Sequence, residues 1–207
     1  MKINKLIITQ VPMDISIKEI TLLSVEEYER YKEHISEMNH WWWLRSPGGG
    51  GRSNGFAAGI NGDGEVDYYG GGVNYNNGIV RPVVVLQLSE LESLNPQVGD
   101  KLEIAGHTWT MIAENMALCD DSVGRTYFRE DWPADDANEY ASSDIKKWLE
   151  AWAMLNGIIA YESLEPTNET WLKFVKRFET GELKSDADFI YWMGTTPIPA
   201  EIANIQL

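Results

Sequence analysis

The chain of 207 residues is long enough for one domain with an appendage or for two small ones. Its 17 Lys and Arg against 32 Asp and Glu leave a net charge of −15, which argues against wrapping of nucleic acid, because phosphate binding is driven by basic side chains that release counterions. Apolar residues at 43%, with nine Trp, nine Tyr and five Phe, supply a real core and exclude a wholly disordered acidic chain.

The acidic balance also works against docking on anionic lipid. Cys119 is the one cysteine, so no disulfide within the chain supports the fold, and a reducing interior is the expected setting. The N-terminal stretch holds no apolar run longer than Leu6 to Ile8, too short for the core of a signal peptide, and no segment approaches the ~20 apolar residues of a membrane span. A cytoplasmic, soluble protein is the expectation.

Residues 1–23 read as extended at both ends. Ile3, Leu6, Ile7 and Ile8 precede Pro12, and Ile15, Ile17 and Ile20 then recur at β-type spacing. Ser24 to Glu27 forms a capping box that predicts a helix from about Val25 to Met38, with Tyr28, Tyr31 and Ile35 inward. Trp41, Trp42 and Trp43 follow and are expected to anchor the core. The stretch from Gly48 to Gly78 then holds 12 of the 18 glycines. Glycine at that density cannot be helix, since each interior glycine costs ~1 kcal/mol relative to Ala. Interleaved Phe56, Ile60, Val66, Tyr68, Tyr69, Val73 and Tyr75 argue for short strands, with turns at Gly62-Asp63-Gly64 and at Asn77-Gly78. Val80 to Leu86 reads as one buried strand that closes the segment.

After Asn95-Pro96 the pattern changes. Val98 to Ile112 reads as a hairpin turning at Ala105-Gly106. An acidic, aromatic-rich loop leads to a helix capped by Ser142 or Ser143, with Ile145, Trp148, Leu149, Trp152 and Leu155 on one stripe and Asn156-Gly157 at its end. A helical tail over residues 161–207 carries two further stripes, Trp171, Phe174, Val175 and Phe178, then Phe189, Ile190, Trp192 and Met193. These stripes need either the main body or another chain as partner, so a homo-oligomer through the C-terminal helices is one expectation.

Leu22-Leu23-Ser24, Trp42-Trp43-Leu44-Arg45-Ser46-Pro47-Gly48 and Val80-Arg81-Pro82 resemble the closing signature of a bacterial family, the domain of unknown function 6273. Val98-Gly99-Asp100, Trp109, Tyr140-Ala141-Ser142-Ser143 and Trp148-Leu149 resemble its opening signature. The resemblance implies an α+β fold of the C-type-lectin-like kind, related to formylglycine-generating enzymes and to the variable receptor-binding proteins that retroelements diversify in phages and gut bacteria. Here the closing half (residues 1–95) precedes the opening half (96–160). Either one domain is circularly permuted or two units have left fragments; the former is preferred, because neither half alone has an ample core. Arg45 and Arg81 are expected to be structural, pairing with carboxylates or bonding carbonyls.

No catalytic constellation stands out. His34, His40 and His107 have no neighbouring ligand set at metal spacing, and a lone cysteine excludes a Cys-based zinc site, so no cofactor or metal is expected. Gly48 to Ser53 lacks the Lys-Ser/Thr ending of a phosphate loop, and no Gly-x-Ser-x-Gly elbow occurs. Asn61-x-Asp63-Gly64 resembles part of a calcium loop, but Gly70 stands where the bidentate Glu belongs. The calcium-dependent lectin motifs are absent, and the oxidase chemistry of the formylglycine-generating relatives needs cysteines this chain lacks.

Recognition remains. Tyr offers contact area at small entropic cost and Asn, Ser and Gly adapt their hydrogen bonding, the composition of antibody paratopes. Residues 52–77 have that composition. Their candidate ligand-binding residues are Arg52, Ser53, Asn54, Phe56, Asn61, Asp63 and Asp67, then Tyr68, Tyr69, Asn74, Tyr75, Asn76 and Asn77. The resemblance implies the same, since the variable segment of the retroelement-diversified proteins lies between similar landmarks. The competing structural reading is that Tyr and Gly merely build a tight meander. The functional expectation is a non-enzymatic protein that binds a protein or glycan ligand, without direct nucleic-acid or membrane contact. An alternative is an acidic decoy that occupies the basic surface of a nucleic-acid enzyme, drawn from residues 114–150 with ten acidic against four basic side chains, including Asp120, Asp121, Glu130, Asp131, Asp135 and Asp136. An unrecognised hydrolase ranks last, since no nucleophile and base can be paired.

Overall fold

A computed structural model describes residues 7–8, 17–49, 54–76, 78–87, 96–130, 135–156 and 158. The expected tail over 161–207, the stop at Gly157 and the outermost candidates Arg52, Ser53 and Asn77 lie outside the described residues. In chain order the elements are β1 (Ile7–Ile8), β2 (Ile17–Thr21), α1 (Val25–Tyr31), β3 (Trp42–Pro47), β4 (Phe56–Ile60), β5 (Val66–Gly72), β6 (Gly78–Val80), β7 (Val83–Leu86), β8 (Lys101–Ile104), β9 (His107–Ala113), β10 (Met116–Cys119), β11 (Gly124–Thr126) and α2 (Asp144–Leu155). The fold is α+β. One sheet has the order β1-β8-β9-β10-β7-β2 and the other β11-β6-β3-β4-β5. Pairing is antiparallel except between β1 and β8 and between β3 and β6.

The two sequence halves interleave in these layers. The six-stranded sheet sets β8, β9 and β10 of the second half between β1 on one side and β7 and β2 on the other. One core cluster joins Leu22, Trp43 and Val84 to Trp109, Phe128 and Trp148 across the halves. Adjacent residues on β3 point to opposite faces, so Trp43 enters this cluster while Trp42 enters a second one with Leu23, Tyr28, Ile60 and Leu118. Both rings are fully buried. Burying each removes ~200 Å² from water, about 5 kcal/mol of transfer free energy at 25 cal/mol per Å².

Several local signals act as expected. The Ser24 hydroxyl accepts the Glu27 N–H at 3.1 Å and the Glu27 carboxylate accepts the Ser24 N–H at 2.8 Å. Arg45 joins that cap, donating to both Glu27 oxygens at 2.6 and 2.7 Å. Burial alone would push the Glu27 carboxyl up, but the Arg45 hydrogen bonds and charge and the Ser24 N–H outweigh it and hold the group below its ordinary value. Ala105 (φ +52°) and Gly106 (φ +75°) form the two-residue turn of the β8–β9 hairpin. Ser143, not Ser142, caps α2, accepting the Lys146 N–H at 3.2 Å.

Three expectations need correction. The first helix is shorter than its periodicity: α1 stops at Tyr31, a 3-10 turn covers Lys32–His34, and Ile35 is extended. A buried guanidinium decides this, because Arg81 takes the Ser36 carbonyl at 2.9 Å and the Ser36 hydroxyl at 2.8 Å and so draws the chain out of helical geometry. The run Val80 to Leu86 is not one strand. It breaks at Arg81-Pro82 into β6 and β7, which belong to different sheets, because Pro82 has no N–H to offer a ladder. Both pieces are nearly all buried because each sheet is covered on both faces there, which is why the run looked continuous. Gly78 does not serve a hairpin turn. It lies inside β6, where a Cβ would stand 1.9 Å from Trp43 Nε1.

Candidate ligand-binding site

The glycine-rich segment builds the β4–β5 hairpin at one edge of the five-stranded sheet. Trp41 lies across it. A Cβ on Gly59 would come within 2.2 Å of the Trp41 ring and one on Gly71 within 3.0 Å, so the two missing side chains make the ring's seat. Trp41 meets Trp43 edge-on at 4.5 Å between centroids, and its Nε1 donates to Asp67 Oδ2 at 3.2 Å. The ring is half-buried, one flank on the core and the other on solvent.

Next to it β5 bulges. Gly59 pairs with Asp67 and Ala57 with Gly71, so four steps along β5 face two along β4, and two extra residues must leave the ladder. Gly70 turns the chain with φ +78°, a conformation costing a non-glycine residue roughly 1–2 kcal/mol. A Cβ there would also lie 1.9 Å from the Ala57 carbonyl oxygen. Asp67 Oδ1 closes the bulge by accepting the Gly70 N–H at 2.9 Å. Tyr68 and Tyr69, at the bulge, are 59% and 68% exposed. Tyr69 meets the half-buried Phe56 edge-on at 6.1 Å.

Beyond β5 the chain is pinned again. Val73 is fully buried, its N–H bonds the Gly55 carbonyl at 2.9 Å and its own carbonyl accepts the Arg129 N–H at 2.8 Å. The Tyr75 N–H returns to the Gly72 carbonyl at 2.9 Å, so Asn74, Tyr75 and Asn76 project outward from a fixed turn. Between this turn and Trp41 runs an open groove of about 690 Å³, lined by Trp41, Gly71, Gly72, Asn74, Tyr75 and Asn76. Its lining combines two aromatic rings and two amides with no charged side chain, a surface suited to an uncharged ligand with apolar faces and hydrogen-bonding edges.

The thirteen candidates therefore separate. Asn74, Tyr75 and Asn76 are exposed on the groove, and Tyr68 and Tyr69 are exposed at the bulge of β5. Phe56 supports Tyr69 from below. Asp67 is engaged by Trp41 and Gly70 and acts as a brace. Asn61 and Asp63 sit at the far end of the hairpin, on the mouth of a second cavity. Asn54 is half-buried at the turn entering β4. Trp41, expected to anchor the core, packs against it and also forms the groove's wall. The signal for it was present in Gly59 and Gly71, whose purpose is visible only once β4 and β5 are paired.

Elsewhere the titratable groups serve the fold. Burial pushes the Cys119 thiol up to about 12, so it is not a thiolate at neutral pH. His107 packs edge-on against Trp152 at 5.5 Å, and His34 faces Glu33. No helix among the described residues is long and apolar enough to cross a membrane.

Set against protein-family models, curated proteins and solved structures, the chain matches none.

Proposed function

We propose that this chain is a binding protein without catalytic turnover that takes a protein or glycan ligand on Tyr68, Tyr69, Tyr75 and the Trp41 groove. One observation carries the reading. Of the four large apolar side chains exposed among the described residues, three are these tyrosines: Tyr68 and Tyr69 at the bulge that Asp67 braces, and Tyr75 on the turn tied to Gly72. A meander built only for packing has no use for large rings left in water at a bulge and the turn after it. The face also fits the expected likeness to diversified receptor-binding proteins. Tyr68, Asn74, Tyr75 and Asn76 can change without disturbing a buried contact, whereas Gly59, Asp67 and Gly70 cannot.

Replacing Tyr68, Tyr69 and Tyr75 together by alanine tests this in a screen of displayed peptides and arrayed glycans. Capture should fall at least 100-fold, since central aromatic anchors are worth ~2 kcal/mol or more each. The melting temperature should move by no more than about 6 °C, as exposed substitutions cost up to ~0.5 kcal/mol each and 1 kcal/mol is worth roughly 2–4 °C at this chain length. Undiminished capture, or a parallel collapse of stability, would contradict the reading.

The acidic-decoy alternative has weaker support. Asp120 is held by Lys101 and Thr110, Asp136 by Arg129 and Ser142, and Asp144 by Lys147 and the Glu130 N–H. Acids paired within the fold present less free charge to a basic partner.

A further inference from the structure

At the other end of the β4–β5 hairpin a cavity of about 340 Å³ opens between the hairpin turn, α1 and the segment that follows α1. That is within the ~300–1,000 Å³ of small-molecule sites. Its floor is Tyr28, Trp42, Ile60 and Arg81, all at or below 5% exposure, while Glu33, Glu37 and Asp63 at its mouth are exposed. The Tyr28 hydroxyl donates to the Gly64 carbonyl at 2.6 Å and ties helix to hairpin across the opening.

Arg81 is the unusual member. It is 1% exposed and forms no ion pair among the described residues. Its Nε donates to the Cys119 carbonyl at 2.8 Å, and its two Nη atoms donate to the Ser36 carbonyl and hydroxyl. Its guanidinium lies over the Trp42 ring at 5.3 Å. A guanidinium carries five N–H donors, so one on each Nη has no partner among the described residues. A buried cation of this kind is costly unless a charge or further hydrogen bonds compensate it.

The surroundings restrict what could compensate. Ser36 takes the inner pair of the fork, so the two free N–H groups lie on opposite flanks and a carboxylate can accept one of them. A simple anion, however, would have to pass Glu33, Glu37 and Asp63 and the field of a chain with net charge −15. A molecule that brings its own cation meets those same acids favourably. Lys32 also lines the cavity and offsets part of this charge, but it is shared with Glu29 at 2.8 Å, and the mouth stays acidic on balance.

We propose that this cavity binds a small zwitterion, its carboxylate on Arg81, an apolar spacer against Tyr28, Trp42 and Ile60, and its ammonium at the acidic mouth. The site is separate from the tyrosine face and accounts for Asn61 and Asp63, which the hairpin carries away from that face.

Titration calorimetry of the full chain with 6-aminohexanoate, hexanoate and hexylamine tests it. Saturable binding of 6-aminohexanoate is expected, with hexanoate and hexylamine each at least tenfold weaker, since a hydrogen bond to a charged group contributes ~1.5–3 kcal/mol. Met38→Trp, which fills the cavity without touching Arg81, should abolish the heat. Glu37→Lys, an exposed change, should reverse the preference toward hexanoate. The triple tyrosine-to-alanine variant should bind 6-aminohexanoate as the unaltered chain does. No saturable heat up to about 10 mM, equal binding of hexanoate, an unchanged preference in Glu37→Lys, or loss of binding in the tyrosine variant would overturn the proposal.

Discussion

Gly70→Ala is expected to cost about 3 kcal/mol and to lower the melting temperature by roughly 6–12 °C in a chain of this length. Two terms add. The left-handed conformation, φ +78°, costs an alanine roughly 1–2 kcal/mol. The new methyl must then displace the Ala57 carbonyl oxygen from 1.9 Å, and that oxygen belongs to backbone held in the β4–β5 ladder. Two other glycines separate the terms. Gly99 has φ +94° with nothing within 4 Å of a Cβ, so Gly99→Ala should show the conformational cost alone. Gly72 has no positive φ, and a Cβ there meets only Asn74 Oδ1 at 3.5 Å, so Gly72→Ala should be nearly neutral. If chemical denaturation finds Gly70→Ala no worse than Gly99→Ala, the bulge that presents Tyr68 and Tyr69 is not rigid.

Arg81→Ala is expected to cost about 4 kcal/mol, read as a lower urea midpoint with an unchanged slope. The substitution leaves the Cys119 carbonyl and the Ser36 carbonyl and hydroxyl without their donors, at ~1–3 kcal/mol for each group that stays buried. It also empties the space under Trp42. Arg81→Lys should recover less than half of the loss. A single ammonium cannot place donors at both β10 and the Ser36 segment as a planar fork does. A loss below about 1 kcal/mol for Arg81→Ala would mean that the residue does not join the two sheets to the segment after α1.

Signals that act over a few residues were legible in the sequence. The Ser24 and Glu27 capping box, the Ala105-Gly106 turn and the Trp148 stripe of α2 each formed as their spacing required, because near neighbours along the chain make those contacts. Misreadings arose where a distant partner decides. Ser36 leaves the helical path for a guanidinium 45 residues away, and Val80 and Val83 go to different sheets although the run of β-branched residues looks unbroken. The same holds within the site. Composition marked the glycine, tyrosine and asparagine segment as a surface for recognition, yet composition cannot tell a displayed residue from a brace. Asp67 and Phe56 turned out to support the hairpin, Asn61 and Asp63 to border another cavity, and Trp41 to wall the groove. Those assignments depend on which side chains the bulged register sets face to face.

Fold stability measured for every single substitution at residues 54–76, by protease resistance of the displayed full chain, tests most directly whether display and scaffold are separate within this segment. Tyr68, Asn74, Tyr75 and Asn76 should accept nearly all side chains with changes within ~0.5 kcal/mol. Gly59, Asp67, Gly70 and Val73 should accept almost none. Tyrosines as intolerant as those glycines would show that the rings belong to the scaffold, and the binding face would not exist.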